Sequence, residues 1–349
     1  MGKEIIFENT RQVAFQDLPD PPLTARQVRV RTLYSGISAG TEMTAYRGSN
    51  VYLHKHWDAK NRLFISAETP SSTYPLGGFG YEEVGEVIEI GEHVTRIKQG
   101  DIVFGTWGHR TLHILEEEYA SQRIKPADLE PILGIFSHIG PIALNGILDA
   151  QIHIGENVAI FGLGVIGQIV AQLAKRSGAR VFGVDPIETR LALAAQLGSI
   201  DVGLDPRQGS PAERIKALTD GLGADVSIEV SGSMPALHEA IRATSYSSRV
   251  VALGFYQGEA NNLFLGEEFH HNRIHLVCSQ ISNVDPSLHF RWDRIRMIRT
   301  IMDFQVSGIL NLRPLITHVI SFDEAAEAFR LIDTSPEQVL EVVLDFSKV

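Results

Sequence analysis

Between Val158 and Cys278 short apolar runs alternate with segments of helical period. The runs Val158–Phe161, Val181–Val184, Val226–Val230, Val250–Leu253 and Ile274–Cys278 read as strands, and Leu191–Leu197, Ala212–Leu218 and Pro235–Thr244 as helices. That alternation predicts a parallel sheet covered on both faces. The N-terminal half is patterned differently. Gln27-Val-Arg-Val-Arg-Thr-Leu-Tyr34 alternates apolar and polar positions, as a half-buried strand does. Gly77, Gly78, Gly80, Gly91, Gly100, Gly105 and Gly108 then space further short runs, among them Tyr81–Ile90 and Ile102–Phe104. Short strands separated by turn residues predict a small barrel-like β domain. Ser35–Glu42 reads as a glycine-punctuated loop, and residues 49–75 as a polar, irregular insertion. Ile132–Leu148, Trp292–Val306 and Phe322–Ile332 read as helices, and Glu341–Phe346 as a last strand.

Length and charge narrow the function classes. A chain of 349 residues exceeds the usual single domain, so two domains are expected. Hydrophobic content of 44% with 21% charged residues is that of a globular protein. The net charge of −11 disfavours nucleic acid and anionic membrane as partners. No bilayer-spanning segment is expected, since the apolar runs read here fall short of the ~20 residues that span a bilayer. Glu4 and Glu8 interrupt any signal-like core, so a cytoplasmic location is expected. The single cysteine, Cys278, excludes an internal disulfide and a multi-cysteine zinc lobe, and its apolar neighbours suggest a buried position.

The most informative stretch is Val158-Ala-Ile-Phe-Gly-Leu-Gly-Val-Ile-Gly167. A strand meets Gly162, Gly164 and Gly167, a helical pattern follows, and a second strand ends on Asp185. Each part suits a dinucleotide. Gly162 permits the sharp turn, Gly164 lets a pyrophosphate approach the backbone, and Gly167 lets the helix pack on the sheet. The first helical N–H groups, with Val165 and Ile166 among them, face the phosphates. Asp185 accepts from a ribose diol and repels a 2′-phosphate, so NAD is expected ahead of NADP.

Several segments together resemble the medium-chain dehydrogenase/reductase superfamily: Ser35-Gly-Ile-Ser-Ala-Gly-Thr-Glu42, Gly80-Tyr-Glu-Glu-Val-Gly-Glu86, Gly100-Asp-Ile-Val103, the glycine turn, and Asp225-Val-Ser-Ile-Glu-Val-Ser-Gly232. The likeness runs over essentially the whole chain. It implies an α/β protein with a GroES-like β-rich catalytic domain, residues 1–139 completed by 281–349, and a Rossmann doubly wound nucleotide domain, residues 140–280. It implies that Arg190 joins the glycine turn and Asp185 at the adenosine half, and that Ser231, Gly232, Leu253 and Gly254 line the nicotinamide side. It also implies a homodimer or homotetramer formed through the strand near Ile274–Cys278.

Zinc-using members of the family hold a catalytic metal with three ligands. By the resemblance, the first two positions here carry Ala39 and Tyr81, and the third aligns with His138. One reading is therefore a site with no metal, in which Thr41, Tyr81, Glu82 and His138 are the catalytic groups. The other is a rewired zinc site drawn from Glu42, Glu82, His109 and His138, with His54 and His56 as further candidates. The structural zinc is expected to be absent. Glu341 stands where relatives often carry a basic residue for the cofactor phosphates, Arg291 with Trp292 suggests a clamp on a polar substrate, and Glu116–Glu118 reads as a solvated turn. The function expected is an NAD(H)-dependent oxidoreductase that interconverts an alcohol, a polyhydroxylated one included, and a ketone or aldehyde. The alternatives are a zinc-independent enoyl or quinone reductase using NAD(P)H, and a non-catalytic dinucleotide-binding protein.

Overall fold

The computed structural model describes residues 2–66 and 69–348. The chain divides into two compact units, Met1–His138 with Ile316–Val349, and Ile139–Leu315. In the first unit β1 (Gly2–Asn9) and β2 (Gln12–Leu18) form an antiparallel hairpin. Strand β3 (Gln27–Ile37) is followed by helix α1 (Thr41–Arg47), the short hairpin of β4 (His56–Asp58) and β5 (Leu63–Ile65), then β6 (Glu83–Ile90), β7 (Ile102–Gly105), β8 (Leu112–Glu116) and helix α2 (Glu117–Ser121). The alternation read in β3 has a direct cause. Val28 and Val30 are fully buried against Val87, Val103, Trp107 and Leu115. Helix α3 (Phe136–Ala150) begins at the end of this unit and carries the chain into the next.

The second unit is built as strand and helix in turn: β9 (Asn157–Phe161), α4 (Val165–Arg176), β10 (Arg180–Val184), α5 (Glu188–Gln196), β11 (Val202–Leu204), α6 (Pro211–Ala217), β12 (Ala224–Glu229), α7 (Met234–Ala243), β13 (Thr244–Ala252), β14 (His275–Cys278) and α8 (Arg294–Val306). The sheet order is β11-β10-β9-β12-β13-β14, and every pairing is parallel. This is the doubly wound order whose direction reverses between β9 and β12, the place where such sheets bind ligands. Val158, Ala159, Ile160 and Phe161 of the central strand are shut from solvent, which explains their unbroken apolar run.

The chain then returns to the first unit as β15 (Ile316–Ser321), α9 (Ala325–Thr334) and β16 (Glu341–Asp345). The sheet there runs β15-β16-β3-β6-β7, with β8 also paired to β3. Phe329 of α9 meets Phe7 edge-on at 5.1 Å and stacks on Tyr46 at 5.6 Å, which pins the returning segment to the N-terminal one.

The α/β class with its β-rich and doubly wound parts is as expected, but several local readings are corrected. Residues 281–315 belong with the nucleotide sheet, so the return comes at 316 and not at 281. A Cβ on Gly140 would lie 2.5 Å from the Ile301 side chain, and Gln172 exchanges two hydrogen bonds with the backbone of Asn311. Only Ser38–Gly40 of the Ser35–Glu42 segment is a loop: β3 extends to Ile37 and α1 begins at Thr41. The 49–75 stretch contains the β4–β5 hairpin; its Ala67 and Glu68 lie outside the described residues. One apolar helical stretch, Pro131–Ala150, is long enough to span a bilayer, but 67% of its most apolar window is buried inside the fold, as in a core helix.

Candidate active site

The cofactor side is built by strand ends. Gly162 leaves β9 at φ +96°, in the left-handed region that favours glycine. A Cβ on Gly167 would lie 2.0 Å from the Gly162 carbonyl oxygen, so the start of α4 closes onto the turn only without a side chain. Gly164 is different: a Cβ there would meet nothing within 4 Å. Gly164 is the N-cap of α4 and offers no side-chain cap, so the first amides of the helix stand in front of that open space. Open space before bare helix amides fits a pyrophosphate. The Asp185 carboxylate accepts the Leu163 N–H and the Ile187 N–H, each at 2.8 Å, and Arg190 stands 3.8 Å away. One lone pair on each oxygen is left for a diol.

The turns after β9, β12 and β13 meet. A Cβ on Gly162 would strike Ser231, and one on Gly254 would lie 2.3 Å from the Gly232 nitrogen. Glu229, at the end of β12, ties them together. It accepts the Ser231 and Gly232 N–H groups and the hydroxyls of Ser231 and Tyr256. Burial nonetheless raises its pKa, because four hydrogen bonds do not repay the loss of water. Leu253 differs from its expected neighbours. Its side chain packs on Gly146 of α3, and its N–H bonds the Glu229 carbonyl. The sequence reading missed Glu229, although it stands within a quoted motif.

In the other unit Tyr81, Ser38, Thr41 and His138 come together. The Tyr81 hydroxyl donates to Ser38 Oγ and also lies within hydrogen-bonding range of Thr41. Its ring lies 4.5 Å from that of His138. Burial, aided by the Glu82 and Glu42 carboxylates, pushes the phenol pKa far up, so Tyr81 keeps its proton at neutral pH.

Beside this group lies a buried network. His109 Nε2 is 2.6 Å from Glu42 Oε2, and His109 Nδ1 is 2.7 Å from Ser35 Oγ. Ser35 donates to Glu83 Oε1 at 3.0 Å, and the Trp107 N–H donates to Glu83 Oε2 at 2.7 Å. Glu42 Oε1 accepts the Ser38 N–H at 3.0 Å. Burial raises Glu83 to about 7. For His109, burial acts to lower the pKa, but the Glu42 charge and hydrogen bond overcome it and the net shift is upward.

Adjacent residues of an extended chain face opposite ways. Glu82 accordingly points away from Glu83. Glu82 Oε2 and Glu341 Oε1 lie 2.7 and 2.8 Å from the point where a Cβ on Gly36 would sit. Both Glu82 oxygens and Glu341 Oε1 are buried without a hydrogen-bond partner. Desolvation first, then carboxylate repulsion, raises both groups well above the ordinary glutamate value. Glu341 is therefore a buried member of this pair, not a substitute for a phosphate-facing base.

Comparison with known proteins agrees with this architecture. The family model described as zinc-binding dehydrogenase matches residues 165–292. The chain is 30% identical to D-guloside 3-dehydrogenase of Shigella flexneri, over 99% of this chain and 100% of that protein. The chain is a medium-chain dehydrogenase/reductase. It is 26% identical to (R,R)-butanediol dehydrogenase of Bacillus subtilis (strain 168), over 92% and 93% of the two chains. Two solved structures share the fold at 20% identity and 99% coverage of both chains. They are a zinc-binding dehydrogenase from Sinorhizobium meliloti 1021 bound to NADP, with a TM-score of 0.78, and an alcohol dehydrogenase from E. coli CFT073 with NADH, at 0.77. The protein is thus an alcohol dehydrogenase-like oxidoreductase of the class that interconverts alcohols and carbonyls.

Within this medium-chain dehydrogenase the side chains at the expected metal positions do not fit a three-ligand zinc. Ala39 has no donor atom, and the Tyr81 hydroxyl is already bonded to Ser38. Of the rewired candidates, both His109 nitrogens and both Glu42 oxygens are engaged. His54 Nε2 lies 2.8 Å from the Gly48 carbonyl, and His56 Nδ1 3.5 Å from Ser71 Oγ, so the two do not act as a pair. Elsewhere His238, Glu267 and Glu268 bring ligand atoms within 4.8 Å of one another, but the Arg242 guanidinium already lies 3.3 Å from Glu268.

Other expectations give way to packing. Arg291 lies over Phe290, and the Trp292 ring lies under Arg296, so they form no common clamp. Asp293 caps α8 by accepting the Arg296 N–H. Glu117 is buried, not solvated; it accepts the Thr95 and Arg96 N–H groups, which lower its pKa. Cys278, on the edge strand β14, is exposed in this chain.

Proposed function

We propose that this protein is an NAD-dependent dehydrogenase that oxidises a secondary hydroxyl of a polyhydroxylated substrate, with protein hydroxyls in place of a catalytic zinc. The observation that carries this reading is the Tyr81–Ser38 hydrogen bond beside Thr41 and His138, where zinc-using relatives hold a metal. NAD held at the Gly162–Gly167 turn and Asp185 would supply the hydride acceptor. The protein's share is the proton. The Tyr81, Ser38 and Thr41 hydroxyls hold the substrate oxygen, and His138 takes the proton it releases. In the reverse direction Ser38, whose Oγ accepts the Tyr81 hydrogen, donates its own hydrogen to the carbonyl. Asp185 supports NAD over NADP, since an acid after the second strand of such a fold would repel a 2′-phosphate. The likeness to a guloside dehydrogenase supports a sugar-like substrate.

NADH formation over a panel of alcohols, sugars and glycosides, with and without a chelator, tests this reading. Turnover with polyols that survives metal removal is expected, and Tyr81→Phe should lower kcat about 100-fold. Chelator-sensitive turnover would overturn the metal-free reading. NADPH consumption with enones or quinones, in place of any alcohol, would overturn the reaction. We further infer a homo-oligomer formed through β14, whose His275, Leu276 and Cys278 are exposed in the single chain. Light scattering of the purified protein checks this.

A further inference from the structure

Resting on that reading, we propose that His109 is a positioning residue that sets the Tyr81–Ser38 hydroxyl pair, acting through Glu42. The hydrogen-bond count supports it. The Ser35 hydroxyl has one hydrogen, and it goes to Glu83 Oε1. When Glu83 is ionised, His109 Nδ1 donates to Ser35 Oγ. The other nitrogen faces the Glu42 carboxylate, an acceptor, so it donates too. With Glu83 ionised, both ring nitrogens carry hydrogens, and the ring is an imidazolium held between Glu42 and the Ser35–Glu83 pair. Its remaining neighbour is the Phe329 ring, edge-on at 6.0 Å.

The other Glu42 oxygen accepts the Ser38 N–H. Glu42 therefore links the buried His109 ring to the backbone of the residue that receives the Tyr81 hydrogen bond. Ser38 lies between the end of β3 and the start of α1, where no strand partner holds it. Without His109, Glu42 would be a buried carboxylate lacking its counter-charge, and it would turn away or take up a proton. Either way Ser38 loses its anchor, and the hydroxyl pair loses its geometry. An ångström of misplacement at reacting groups costs on the order of 100-fold in rate.

The test is a double-mutant cycle on the full-length protein with its best alcohol substrate. His109→Gln should lower kcat about 100-fold and leave the KM for NAD unchanged. Ser38→Ala should do the same, and the double variant should be no slower than either single one. Glu42→Gln, which keeps the side-chain shape, should reproduce the His109→Gln loss, and it carries the test if His109→Gln fails to fold. Multiplicative losses in the double variant, or wild-type kcat in both His109→Gln and Glu42→Gln, would overturn the proposal. Tyr81→Phe separates the two levels. If it alone leaves kcat unchanged, the proposed function fails; if it lowers kcat while His109→Gln is silent, only the role of His109 fails.

Discussion

Each unit buries carboxylates at the ends of its strands, and one pair from each is treated in opposite ways. In the nucleotide unit Asp185 and Glu229 are surrounded by donors, with two and four hydrogen bonds respectively. Each of these acids ties together loops that the fold needs side by side. In the other unit Glu82 and Glu341 face the same glycine, and three of their oxygens have no partner. Burial alone does not distinguish structural from strained acids; the donors around them do. A carboxylate fed by backbone amides fixes a loop, whereas one without donors remains a source of instability that protonation relieves.

Three substitutions probe that contrast, in falling order of effect. Gly167→Val tests the scaffold on which the nucleotide-side acids depend. With 2.0 Å between a Cβ and the Gly162 carbonyl, the turn cannot close, and a loss of about 3 kcal/mol or more is expected together with loss of NADH binding. Urea unfolding and fluorescence titration measure both. Glu229→Gln keeps the shape but places an amide NH₂ against donors. About 2 kcal/mol should be lost, and a variant as stable as wild type would mean that the Glu229 bonds hold nothing.

Glu341→Gln should have the smallest effect and the opposite sign, stabilising by about 1 kcal/mol near pH 8. Glu82 and Glu341 have folded pKa values raised above the unfolded value, so the folded state binds more protons once pH passes about 4.5. Stability therefore falls as pH rises from that point toward the folded values. Glu83, raised to about 7, adds a fall between about 4.5 and 7. Removing Glu341 should flatten the profile above pH 5 and leave it unchanged at pH 4, as thermal melts across that range would show. A variant less stable at pH 8 than wild type would refute the picture of an uncompensated pair.

Much of the nucleotide unit was legible in the sequence because its signals are local. The turn glycines, the apolar strand and Asp185 lie within one stretch of chain and report on the same few contacts. Strand β11 escaped because three residues carry no period. Tyr81 and Thr41 were legible through motif position, and the structure does bring them together. The ion pair of Glu42 with His109 was not, since 67 residues separate partners joined only by the sheet. Glu117 was misread for the same reason. An acidic triplet suggests water, and only the fold puts the Thr95 and Arg96 amides against its middle member. Cys278 shows the converse case, in which an apolar run proved to be a sheet edge.

Strand β3 bonds β6 along one edge from Val28 to Ser35, and on its other edge bonds β8 from Gln27 to Arg31 and β16 from Tyr34 to Ile37. No local fraying of one neighbour frees it, because the strand is shared between the N-terminal segment and the chain that returns after 316. Its amides should therefore be among the slowest in the protein to exchange with solvent deuterium, opening only when the whole unit does. The same seam makes the C-terminal tail part of the first event in folding that can complete this unit. A ribosome-bound chain lacking β16 would leave the Ser35–Ile37 edge bare until that strand emerges.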